Sequence, residues 1–186
     1  MLNEALRFLL DVILQSFAAI LLLRFHLQWL RAPLRNPIGE FVMVFTDFLV
    51  LRARRYIPAM RGYDSATLLL AWLVETIYLT LVTWLESGHF FSPAGLLVLV
   101  VVKLLTISIY LLMGALFAQV VLSWVNPYTS VSAVLNAITY RFLQPLRRIM
   151  PMLGNIDLSP MLLLIICQLM LIVPVAMLEN FAARLF

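Results

Sequence analysis

Two arginine pairs stand in the same relation to a proline and an aspartate. Arg54-Arg55 is followed by Pro58, Asp64 and Ser65, and Arg147-Arg148 by Pro151, Asp157, Ser159 and Pro160. Adjacent guanidinium groups suit an anionic ligand, an acidic lipid headgroup or an acidic partner. Beside apolar runs they also have a plainer use, which is to set topology and anchor the chain among headgroups. Each Asp–Ser lies just before an apolar run, where side-chain oxygens accept the orphan N–H bonds of a helix start. Pro160 suits a first helical turn. Ser159 then reads as an N-cap, with Asp157 as a partner of Arg147 or Arg148. The other reading is an ion or proton site at a membrane surface.

Glu75 falls near the middle of an apolar run. A lone carboxylate in hydrocarbon costs about 2.5–3.5 kcal/mol on insertion scales for comparable charges. Protonation, pairing or a wet cavity would relieve that cost. Lys103 is the expected partner, because the two lie at similar depths, about 15 and about 12 Å from the outer ends of their spans at 1.5 Å per residue. The functional version of this pair is a proton- or ion-sensing site. His26 and His89 are single and fall on opposite sides of the membrane, so no shared metal or haem site is expected from them. Cys167 is alone in an apolar run and makes neither an intrachain disulfide nor a Cys-based metal site. The sequence has no phosphate-binding glycine loop, nucleophile elbow or zinc-protease motif. No enzyme activity, cofactor or metal is expected.

Composition sets the surroundings of these residues. Of 186 residues, 64% are hydrophobic and 12% charged, and mean hydropathy is +1.03. Soluble domains have about 45–50% apolar and about 25% charged residues. Four apolar stretches are long enough to cross a bilayer, at about 11–30, 66–85, 95–124 and 161–178. The third is long enough to require tilt or ends that enter the interface. The first reads as a retained span, since Asp11 interrupts any cleavable-signal core. The segments 31–65 and 125–160 carry nine Arg between them, while the connection between the second and third spans has no Lys or Arg. This bias places both segments in the cytoplasm and both termini outside. The net charge of +4 then points to anionic headgroups rather than nucleic acid.

The chain repeats itself. Trp29 and Trp124 are offset by 95, and the Arg pairs and Asp64/Asp157 by 93. Arg24 and Gln28 precede the first Trp, and Gln119 and Ser123 the second, each pair on one helix face. Residues 1–90 and 91–186 are therefore two units of span, basic segment, proline turn and span. An even number of spans per unit makes them parallel repeats. The basic segments read as helices. Asn36-Pro37 forms one start, and Ser130 or Ser132 the other. Val131, Val134, Leu135, Ile138, Phe142 and Leu146 share an apolar face, opposed by Arg141, Gln144 and Arg148. Val42, Phe45 and Leu49 make the first copy almost too apolar for a surface helix, which suggests that it tucks into the interface or packs on a partner. The fold class is thus an all-α membrane protein of four transmembrane helices in two parallel tandem repeats, each with an amphipathic cytoplasmic helical segment.

The paired pattern Arg-Arg-x-x-Pro-x-x-x-x-x-Asp-x-Ser-Pro, after a Ser-Trp, resembles the YggT family. The second copy carries it through Ser123-Trp124, Pro145, Arg147-Arg148, Pro151, Asp157, Ser159 and Pro160. The first departs at Gln28-Trp29, Leu51 and Asp64-Ser65-Ala66. The resemblance implies a small polytopic protein of the bacterial cytoplasmic membrane, linked to osmotic stress tolerance or envelope organisation, and it supplies no catalytic residues. Two roles follow as expectations. One is a scaffold or accessory factor that self-associates or binds a membrane partner. The other is an oligomeric channel or transporter component responding to osmotic stress.

Overall fold

The computed structural model describes residues 2–58, 63–88, 92–126, 128–149 and 157–184. Pro151, Arg61 and His89 lie outside them. Six helices form: α1 (Leu2–Trp29), α2 (Pro37–Ala53), α3 (Ser65–Ser87), α4 (Pro93–Val125), α5 (Ser130–Ile149) and α6 (Ser159–Ala183). No β-strand occurs among the described residues. Helices α1, α3, α4 and α6 are long and apolar enough to cross a membrane, and the chain is a multi-pass membrane protein by that measure. All four start before the residues read from sequence, and α3, α4 and α6 also end beyond them. In lipid only a helix satisfies every backbone group within its own segment.

Two spans carry a wide turn. Asp11–Gln15 in α1 and Leu171–Val175 in α6 are π-helical. Pro174 explains the second, since it has no N–H to donate and its ring crowds the preceding turn. The sequence places Pro174 near the end of the fourth span. In the structure it is an interior residue, because α6 continues to Ala183.

Helix starts follow local chemistry. Asn36 caps α2 by accepting from the Gly39 N–H at 3.0 Å. Gly39 must be glycine, because a Cβ there would lie 2.1 Å from the Leu34 carbonyl oxygen. At α5 the cap is Thr129, whose hydroxyl accepts from the Ser132 N–H at 3.1 Å. Neither Ser130 nor Ser132 fills that role, since Ser130 already belongs to the helix. Asn36 and Thr129 are 93 apart, so the two caps are equivalent positions of the repeat.

Each unit is a span, a lateral helix and a second span. In α5 the apolar face is as the spacing requires: Val134, Leu135 and Ile138 are buried, and Arg141, Gln144 and Arg148 are exposed. In α2, Val42 packs with Leu27, while Val50 joins the core around Leu21 and Leu22. The Phe48 ring stacks 6.0 Å from Phe17. The first lateral helix is therefore tucked along α1, and Phe41, Val44, Phe45, Phe48 and Leu51 face outward. The spans α1 and α4 pack on each other, α3 packs on both, and α6 packs on α4 and α5. The contact of α3 with α4 has no counterpart between α6 and α1 among the described residues.

Candidate functional site

The repeated motif is a clamp. Arg54 donates to both Asp64 oxygens, from Nη2 at 2.6 Å and from Nε at 3.3 Å. In the amide orientation its neighbours demand, Gln28 donates to Asp64 and accepts from Arg54, each at 3.0 Å. Asp64 also caps α3, accepting from the Thr67 N–H at 3.4 Å and from the Thr67 hydroxyl. Burial acts to raise the Asp64 carboxyl. The Arg54 and Thr67 bonds outweigh it and hold the group below its ordinary range.

The second unit repeats the clamp with one change. Arg147 Nε donates to Asp157 at 2.9 Å, and Asp157 accepts from the Ser159 N–H at 2.9 Å and hydroxyl at 2.6 Å. Burial again acts upward, and the Ser159 and Arg147 bonds hold Asp157 low. Ser159 is thus not the N-cap. It is the first residue of α6, with Pro160 beside it in the first turn, and Asp157 satisfies its N–H from two residues upstream. Ser65 sits equally at the start of α3, and its hydroxyl donates to the Pro58 carbonyl at 2.7 Å. Arg54 and Arg147 are therefore engaged within the chain. Arg55 and Arg148 are exposed, and no carboxylate of the described residues bridges either.

The repeat extends into the spans, where the sequence reading missed two relations. Arg24, 3% exposed, donates to the Thr46 hydroxyl at 2.6 Å and to Asp47 at 2.7 Å. One unit later the Thr139 hydroxyl donates to the Gln119 carbonyl at 2.5 Å. Both threonines are fully buried. The second relation corrects the expected pairing of Glu75 with Lys103. Lys103 Nζ lies 2.8 Å from Glu179 Oε1, and Arg7 pairs with Glu86. Glu86 and Glu179 are 93 apart, so the offset already marked Glu179. Depth from the helix ends placed Glu75 and Lys103 at one level, but it says nothing of which face each residue occupies. Glu75 is wholly buried, and neither oxygen has a hydrogen-bond partner among the described residues. Gln168, its equivalent, is exposed.

At the loop end of the bundle the two units meet in a cleft of about 420 Å³ lined by Gln28, Trp29, Arg31, Tyr63, Tyr140 and Arg141, among others. The Arg141 guanidinium stacks over the Trp29 ring at 5.3 Å. Arg31 has φ 53°, the one positive value at a non-glycine among the described residues. It closes α1 in a Schellman turn, with Ala32 N–H on the Leu27 carbonyl at 2.8 Å and Arg31 N–H on Gln28 at 3.1 Å. Glycine is the usual residue there. A non-glycine in the left-handed region costs about 1–2 kcal/mol, and such strain gathers at functional positions. The cleft thus gathers two arginines among three aromatic rings.

The sequence profile of the CCB3/YggT family matches residues 3–85 and 98–178. The chain belongs to that family. The match falls on the two units in turn. Relatives include the uncharacterized protein YggT of Escherichia coli K12, 36% identical over 168 residues, covering 88% of this chain and 85% of that one. The uncharacterized protein PA0392 of Pseudomonas aeruginosa is 33% identical, with 86% and 82% covered. An uncharacterized protein of Haemophilus influenzae is 32% identical, with 80% of each covered. No solved structure matches.

Proposed function

We propose that this YggT-family protein is a non-enzymatic accessory or scaffold factor of the bacterial inner membrane that docks an acidic partner at its loop end. The observation that carries the reading is the division of labour within each Arg pair. Arg54 and Arg147 hold the fold together, whereas Arg55 and Arg148 stay exposed, and the cleft adds Arg31 and Arg141. The arginine bias puts this end in the cytoplasm and both termini outside. A role in envelope organisation or osmotic stress tolerance fits such a factor. The test is the size of the assembly released from membranes by mild detergent. The wild type runs larger than a monomer, and raised salt or Arg55→Glu with Arg148→Glu collapses it. A wild type that runs as a lipid-bound monomer at low salt overturns the reading.

A second reading, an oligomeric channel or transporter component, has its own observation. Glu75 is buried with both oxygens unpartnered, an arrangement that membrane proteins retain for proton or ion handling. Liposomes holding the protein then leak protons or ions under an osmotic gradient, and Glu75→Gln abolishes the leak. Liposomes as tight as empty ones remove it.

A further inference from the structure

At the end of the bundle that carries both termini, α1, α4 and α6 enclose a second cavity of about 550 Å³. It fills the place where α6 and α1 fail to touch. Both π-turns border it, Asp11 and Gln15 from α1 and Leu171 and Val175 from α6. The α4 wall gives Lys103, Thr106, Ile107 and Tyr110, and Glu179 completes the rim. Such wide turns are rare and recur at functional sites.

We propose that this cavity binds the phosphoethanolamine head of an aminophospholipid, with phosphate on Lys103 and ammonium on Asp11. Valence on the cavity wall selects this chemistry. Lys103 uses one of its three N–H groups on Glu179, which leaves two donors for an anion. Asp11 accepts from the Tyr78 hydroxyl at 2.7 Å through Oδ1. No donor among the described residues meets Oδ2. A ligand with only negative charge meets two carboxylates, and one with only positive charge meets Lys103. A zwitterion satisfies both. Depth selects a lipid. Helix α4, of 33 residues, is about 50 Å long at 1.5 Å per residue. Centred on a hydrocarbon core of about 30 Å, it holds Lys103 about 6 Å below the boundary. A headgroup reaches that level, and Ile107, Leu171 and Val175 continue an apolar wall for the chains beneath it.

The test is lipid retention. Full-length protein is delipidated and exposed to vesicles of phosphatidylcholine doped equally with phosphatidylethanolamine and phosphatidylglycerol. Bound lipid is then read by native mass spectrometry. Phosphatidylethanolamine is retained about tenfold over both others. Asp11→Asn removes its preference over phosphatidylcholine, Gln15→Leu weakens retention, and Gln168→Leu, on the exposed face of α6, changes nothing. Soluble glycerophosphoethanolamine does not displace the lipid. Equal retention of the three lipids, or retention and preference both unchanged in the cavity variants, overturns the site. Displacement by the soluble head overturns the lipid assignment. The Gln15→Leu variant carries the test alone if Asp11→Asn does not fold.

Discussion

Lys103 bonds Glu179 across α4 and α6 as Arg7 bonds Glu86 across α1 and α3, so one interhelical ion pair is written twice in the chain. Each ties the first span of a unit to its last near the terminal end. A duplicated bond of this kind is a structural element of the unit. Charge reversal follows from it. Lys103→Glu or Glu179→Lys alone lowers the thermal midpoint in detergent, and the double variant recovers it, with a coupling of about 1 kcal/mol in a double-mutant cycle. Glu75→Lys with Lys103→Glu gives no recovery.

The Arg54–Asp64 and Arg147–Asp157 clamps make stability depend on acid. Both carboxyls sit below their ordinary value of 3.8 in the fold. A lowered carboxylate contributes stability that is complete above the unfolded value and is lost as pH falls through the folded one. The midpoint is therefore flat near neutrality and falls below about pH 4. Asp64→Asn and Asp157→Asn each flatten part of that fall, and circular dichroism melts across pH measure it.

Much of this is legible in the sequence, and for a physical reason. Spans, caps and clamps depend on spacing along one chain, and spacing is what a sequence displays. Asn36-Pro37, the face of Val134, Leu135 and Ile138, and the Arg147–Asp157 partnership all follow from residues close in sequence. The failures concern facing. Glu75 and Lys103 share a depth, but rotation of α3 and α4 about their axes decides who meets whom. Packing of whole helices sets that rotation. The sequence offers Ser130 or Ser132 as the cap that Thr129 provides, because a slip of one residue separates a cap from a first turn. The cleft residue Arg31 gave no local sign, since its left-handed backbone shows only in three dimensions.

Glu75 makes no hydrogen bond among the described residues, so its removal forfeits none and the burial cost of the carboxyl dominates. Glu75→Leu raises the unfolding free energy, by up to about 2.5–3.5 kcal/mol if the whole insertion cost is recovered, and the thermal midpoint rises with it. Equilibrium unfolding in detergent reports it, and a lowered midpoint would mean that an unseen partner holds the carboxyl.

Backbone geometry gives a contrasting pair. Gly39→Ala drives a methyl onto the Leu34 carbonyl oxygen, which cannot swing aside as a side chain would, and costs about 1–3 kcal/mol. Arg31→Gly relieves a left-handed arginine and gains about 1 kcal/mol. If the cleft takes anions, the same change weakens their binding, so stability and binding move in opposite directions in thermal-shift assays with polyanions.

Among the described residues helix α6 touches only α4 and α5, both of its own unit, while α3 is held by its own unit and by α4 of the next. The two halves therefore differ in how firmly each last span is moored. Pulled from the carboxyl terminus, α6 detaches first, with α3 still locked in place. Amide exchange follows the same order. The second copy is the one free to breathe, and the opening it uncovers is the cavity beside Asp11.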